Sequence, residues 1–242
     1  MDVPVPFQFP DAMLLSAGLG TRLRPLTLSV PKPLVRVGGI ALVDRVFDAA
    51  RREGARRFVV NVHHHAEQMF SHIETLRAQG VDIAVSDERD GLRDTGGALR
   101  KALPLLGGDP ILVMNTDAFW IGGSDRPIGR MLVRMTPATE IVLLCVQPRR
   151  ASGFRRSHDF CLDPRGTVTT DTGAPVIYAG VALIRRGLPA AETDDKFSLN
   201  RLFEAALNRG TLGGVVLDAH WLHVGDAEAL REAEAELKAQ LP

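Results

Sequence analysis

Gly18, Gly20, Arg22, Arg24 and Lys32 crowd into one short stretch that begins just after an apolar run, Ala12 to Leu15. Glycine lets backbone N–H groups approach a ligand closely. Arginine offers a forked, permanently charged donor that suits phosphate oxygens, and lysine adds a point charge. Together these residues describe a loop that grips a polyphosphate. The spacing also says what the loop is not. No Gly-Lys-Ser/Thr closes the glycines, as a Walker A loop requires. The third glycine of the dinucleotide fingerprint is missing, and Pro25, Pro31 and Pro33 follow. Proline lacks a donor and breaks helices, so the glycines lead into a long irregular loop.

Other residues could complete such a site. Asp117 follows the apolar run Pro110 to Met114 at a strand end, where open α/β sheets place their ligands. A carboxylate there can hold magnesium against triphosphate oxygens. Asn61 closes a second predicted strand, and its amide can read a base edge. Ser86, Asp87 and Glu88 follow a third in the same way. Asp94-Thr95-Gly96-Gly97-Ala98 is a second glycine turn. His63-His64-His65 invites a metal assignment, but consecutive side chains in an extended segment point to alternating faces and do not converge. Arg149, Arg150, Arg155 and Arg156 lie between strands and could screen an anion. Asp159, just before a strand, could bind sugar hydroxyls.

These residues need a scaffold, and the chain alternates the signals of one. Strands are expected at 12–15, 57–62, 81–85 and 110–114, with helices at 41–52, 66–76 and 95–103 between them. Beyond residue 140 the rhythm changes. Strands at 140–146, 160–162, 176–184, 214–217 and 221–224 alternate with turn chemistry, and helices are expected at 198–208 and 227–240. The pattern predicts an α/β fold: a Rossmann-like three-layer α/β/α arrangement with a mixed, mainly parallel central sheet. Residues 1–11 are expected to form an N-terminal extension, and 12–242 a single domain. Asp226 is placed to cap the last helix.

Composition narrows the classes further. With 242 residues the chain can bury one sizeable core. Its 29 basic and 29 acidic side chains balance, so no global field attracts nucleic acid or a membrane surface. Two cysteines, Cys145 and Cys161, sit in apolar surroundings and suggest no disulfide framework. No run approaches membrane-spanning length, and Met1 to Pro10 lacks the basic-then-apolar order of a signal peptide. A cytoplasmic protein is expected, as a monomer or small homo-oligomer.

The string Ala17 to Pro33 closely resembles the signature of the sugar-1-phosphate nucleotidyltransferases. The resemblance extends from about Ala12 to Leu230. It implies that a nucleoside triphosphate and a sugar 1-phosphate combine, releasing pyrophosphate. Arg22 would hold the outgoing pyrophosphate, Lys32 would neutralise the reacting phosphate, and Asp117 would bind Mg2+, with Mn2+ as an alternative. Ala17, Gly18, Gly20, Thr21, Asn61, Asp87, Gly96 and Gly97 would surround the nucleotide. Asp159, Tyr178, Gly180 and Ser198 would line the sugar-phosphate pocket. Two positions depart from the pattern. Thr116 stands where the family usually shows glycine. His223, in Trp221-Leu222-His223-Val224-Gly225, replaces the aspartate expected as second metal ligand. His223 could ligate a softer ion, act through water, or be a buried structural histidine. The compact length resembles the short bacterial uridylyltransferases that act on N-acetylmuramate 1-phosphate in cell-wall (peptidoglycan) recycling. Mannose-type guanylyltransferases are the next resemblance. A non-catalytic nucleotide-sugar sensor is the alternative from outside enzymology.

Overall fold

The computed structural model describes residues 9–123 and 126–239. The first half alternates strand and helix. After β1 (Ala12–Leu15), three single 3-10 turns carry the chain through Thr21–Leu34 to a small hairpin, β2 (Arg36–Val37) and β3 (Ile40–Ala41). Then come α1 (Leu42–Glu53), β4 (Arg57–Val62), α2 (Ala66–Ala78), β5 (Asp82–Asp87), α3 (Asp94–Ala102) and β6 (Ile111–Asn115). The expected long loop is thus a chain of tight turns. Thr27 Oγ1 donates to Gly20 O at 2.7 Å, and Leu23 is fully buried beneath it.

The second half supplies β7 (Ala118–Ile121), α4 (Pro127–Arg134), β8 (Ile141–Val146), β9 (Ala151–Ser152), β10 (Phe160–Leu162), β11 (Val168–Thr169) and β12 (Ala174–Ile184). It closes with α5 (Gly187–Ala191), α6 (Leu199–Asn208), β13 (Leu212–Val216), β14 (His220–His223) and α7 (Ala227–Ala239). The spacing reading omits β7 and α4, because the turn between Asp117 and Ala118 joins two apolar runs without a Gly or Pro break. Asp226 Oδ1 accepts from Ala229 N at 2.9 Å and caps α7.

Among the described residues nine strands form one mixed sheet. The quartet β5-β4-β1-β6 is wholly parallel. Beyond it, β12 runs antiparallel to both β6 and β8, and β13 returns parallel to β8. Side-chain alternation builds the layers. Ala12, Leu14, Phe58 and Leu112 face a cluster with α1, α2 and α4. Met13, Val59, Ile111 and Val113 face the opposite cluster with α3 and α6. The three-layer expectation therefore holds. Phe9 of the expected extension lies against Gly54; residues 1–8 of it fall outside the described residues.

A second, three-stranded sheet, β7-β14-β9, leans on the first. Its register sets His223 opposite Ala118, and Val224 N donates to Asp117 O at 2.8 Å. This pairing brings the C-terminal strand to the end of β6.

Candidate active site

The parallel strands β1, β4 and β6 end on one side, and a cavity of about 510 Å³ opens there. The turn after β1 forms one wall: Ala17, Gly18, Gly20, Thr21 and Arg22 all line it. Gly20 has φ +62°, and a side chain there would collide with Thr27 and Lys32. Only glycine closes this turn without strain. Lys32 reaches in from the third 3-10 turn, with 13% of its side chain exposed.

Asp117 sits where this cavity meets a second one of about 440 Å³. Arg22 and Asn115 also border both. Lys32 Nζ donates to Asp117 Oδ2 at 2.8 Å, and His223 Nε2 stands 3.6 Å from the same oxygen. Burial works to raise the Asp117 pKa. The neighbouring His223 imidazole and the Lys32 ammonium outweigh it and hold the carboxyl far below the usual range. Thr116, at the departure from the family's glycine, turns its hydroxyl to Leu15 O at 2.7 Å. The extra side chain thus serves as a tie between β1 and β6.

At the other end of the first cavity lies a buried relay. Ser16 N donates to Asn61 Oδ1 at 2.7 Å, and Asn61 Nδ2 donates to Glu88 Oε1 at 2.8 Å. Glu88 is fully buried, and its Oε2 has no partner. Burial pushes its pKa above the ordinary carboxylate range, against the Asn61 hydrogen bond. A buried acceptor without a donor is costly; Glu88 is among the residues bordering the cavity, while Oε2 itself is closed off from solvent.

Four expected site residues lie elsewhere. Asp87 turns outward and pairs with Arg89 at 2.7 Å, while its neighbour Glu88 turns inward. Gly96 and Gly97 form the first turn of α3 and donate to Phe197 O at 2.8 and 3.0 Å. A Cβ on Gly96 would lie 2.3 Å from the Phe197 ring, and one on Gly97 2.2 Å from Asp195 O. Their glycine identity answers to this segment, and Asp94 and Thr95 reach the cavity instead. Ser198 caps α6, accepting from Asn200 N at 3.3 Å. Asp159, Tyr178 and Gly180 do line the second cavity. Gly180, at φ +79°, sits at a bulge of β12 where Asn115 packs against it. The three histidines do not converge on one point: His63 Nδ1 meets Glu88 O at 2.7 Å and His64 Nε2 meets Thr27 O at 3.3 Å, while the His64 and His65 rings pack against each other with centroids 4.0 Å apart.

The residue-type reading did not single out Asn115 or Lys196, which both border the first cavity. Asn115 is two residues from Asp117 along the strand end, so alternation could have found it. Lys196 arrives from a distant loop and carries no local signal.

The donor set at Asp117 suits a divalent cation. Gly153 O lies 3.2 Å from His223 Nδ1, and a carbonyl only accepts, so that nitrogen carries the proton. Nε2, facing Asp117, is left free to bind a proton or a metal. One carboxylate and one imidazole form a mixed hard and borderline pair. Among the described residues no group of three His, Cys, Asp or Glu side chains converges on a metal position. A triphosphate would have to supply further oxygen ligands.

A nucleotidyl transferase family model matches residues 11–154. The chain is 37% identical over 232 residues to N-acetylmuramate alpha-1-phosphate uridylyltransferase of Caulobacter vibrioides, covering 93% of this chain and 96% of that protein. The Neisseria meningitidis enzyme of the same name is 30% identical over 230 residues, with coverage of 93% and 96%. The fold matches the inositol-1-phosphate CTP transferase of T. maritima with a TM-score of 0.74 at 16% identity, over 97% of this chain and 98% of that one. With a glycine turn and Arg22 lining a strand-end cavity, a carboxylate at its edge and near full-length relatives in agreement, the chain belongs to the sugar-1-phosphate class of the nucleotidyl transferase family.

Proposed function

We propose that the protein transfers a uridylyl group from UTP to N-acetylmuramate 1-phosphate, releasing pyrophosphate and forming a nucleotide-sugar, in the cytoplasm. The observation that carries this reading is Asp117, held by Lys32 and His223 where two cavities join. One cavity suits a nucleotide and the other an acceptor, so the reacting phosphorus belongs at the seam. Near full-length relatives bearing this activity support the choice of substrates.

The nucleotide's phosphates lie against the Gly18–Arg22 turn, whose N–H groups and guanidinium offer donors. The nucleobase lies toward the Asn61–Glu88 pair, at the other end of the same cavity. The acceptor's phosphate oxygen attacks the α-phosphorus in line. That oxygen is already ionised, so no general base is needed. Lys32 neutralises charge on the reacting phosphate and Arg22 steadies the departing pyrophosphate. Both act by alignment and preorganised charge. Asp117 and His223 would hold the divalent cation, Mg2+ or Mn2+, which supplies charge neutralisation between phosphate oxygens when bound.

The test is a pyrophosphate-release assay with UTP, GTP, CTP and dTTP, each crossed with several sugar 1-phosphates. UTP with N-acetylmuramate 1-phosphate is expected to give the fastest release. Asp117→Asn is expected to remove nearly all of it. Release with no combination, in Mg2+ or Mn2+, would instead leave a nucleotide-sugar-binding protein.

A further inference from the structure

The second cavity is lined by charged side chains, Asp117, Asp159 and Asp226 among them. Three arginines border it: Arg22, Arg155 and Arg156. Arg22 also borders the first cavity, where the proposed reaction uses it. Arg155 is committed to the last helix, with Glu232 at 3.0 Å, Glu228 at 3.2 Å and Asp226 at 3.7 Å. Arg156 differs. One of its nitrogens meets Asp159 Oδ1 at 2.5 Å, and its side chain remains 73% exposed.

That guanidinium is held in place before any ligand arrives. Asp159 is itself fixed, because its other oxygen accepts from Tyr178 N at 3.0 Å. The cation lies over the Phe154 ring at 5.3 Å. Phe154 meets Trp221 edge-on at 6.3 Å, and Trp221 stacks on His223 at 5.7 Å. The chain of rings therefore starts at the metal-facing histidine and ends beneath Arg156. A pyranose could lie along this aromatic wall with its phosphate at Asp117. Its far substituents would then face the guanidinium. A guanidinium carries five N–H donors in a planar fork, and one carboxylate does not exhaust them.

We infer that Arg156 is a specificity residue that binds a second anion on the acceptor, a carboxylate carried on an arm of the sugar ring. The inference rests on the proposed acceptor, since N-acetylmuramate differs from N-acetylglucosamine by such an acidic ether arm. Asp159 and Phe154 preorganise the guanidinium, and the acid arm takes the donors that Asp159 leaves open. A neutral sugar leaves those donors to solvent, so the site selects for the acid.

The experiment removes the charge from each side in turn. Steady-state kinetics with saturating UTP would compare N-acetylmuramate 1-phosphate with the methyl ester of its lactyl carboxylate, which keeps shape and loses charge. The wild type is expected to favour the acid in kcat/KM by about tenfold or more, the scale of a charge-assisted hydrogen bond. In Arg156→Gln that preference is expected to collapse to near unity, with the loss confined to the acid. Equal loss on acid and ester would mean that Arg156 serves the phosphate or the fold, and it would overturn the inference. So would an unchanged preference, while leaving the proposed function intact. A wild type that turns over neither acceptor would overturn the proposed function and this inference with it.

Discussion

Asp117 pays for its place with burial and is kept ionised by two neighbours, Lys32 and His223. Replacing His223 by aspartate would give the site a second hard oxygen donor. Magnesium favours such donors, whereas imidazole suits softer ions. Mg2+-supported turnover of His223→Asp is therefore expected to hold or rise, and the ratio of Mn2+-supported to Mg2+-supported turnover to fall severalfold relative to the wild type, checked by metal titration of activity and of binding. Glu88 gives a pH prediction of its own. Its pKa is raised in the folded protein, so the unfolded chain gives up this proton at lower pH. The contribution is fully present below the ordinary glutamate range and is lost as pH rises through the raised value. Denaturant midpoints measured across that window should fall with rising pH in the wild type. Glu88→Gln, which cannot ionise, should remove that part of the slope. The same variant should weaken UTP binding severalfold, because an amide can disturb the Ser16–Asn61–Glu88 relay that borders the cavity.

At the scale of elements, the first turn of α3 and the 195–197 segment are one unit. Gly96 and Gly97 both donate to Phe197 O, and Leu199 N donates to Thr95 Oγ1 at 2.9 Å. Gly96→Ala would push a methyl group into the Phe197 ring and carbonyl. Overpacking of this kind costs about 1–3 kcal/mol. For a chain of this size the melting temperature should drop by about 2–4 °C for each of those, measurable by calorimetry. Activity should fall less than stability, since neither glycine lines the cavity. The tight turns after β1 behave in the opposite way. There Gly20 is both a backbone requirement and part of the cavity wall.

At the scale of the molecule, the two sheets meet at the seam between Asp117 and His223. The first cavity is lined from both halves of the chain, Lys196 and Gly225 included, so a nucleotide bound there as proposed would tie the halves together. A ligand that binds only the folded form stabilises it in proportion to its occupancy. UTP at about a hundred times its Kd should add about 2.7 kcal/mol. That corresponds to a rise of about 5–11 °C in melting temperature. Thermal-shift measurements with each triphosphate would show it, and UTP should give the largest rise.

Arg22, Lys32 and Asp117 were legible in the sequence because each belongs to a local pattern, a glycine turn after a strand or a carboxylate at a strand's end. The layers were legible for a similar reason, since alternating apolar residues dictate two buried faces. Ser86, Asp87 and Glu88 were all legible as strand-end candidates, but the choice of Asp87 over Glu88 for the nucleotide was not, as strand ends do not announce which side chain turns inward. The reason for glycine at 96 and 97 lay in Phe197, far along the chain. The nearness of His223 to Asp117 came from the pairing of β7 with β14. Periodicity and motif report on neighbours in the chain, whereas the choice of long-range partners is made by the packing of whole elements.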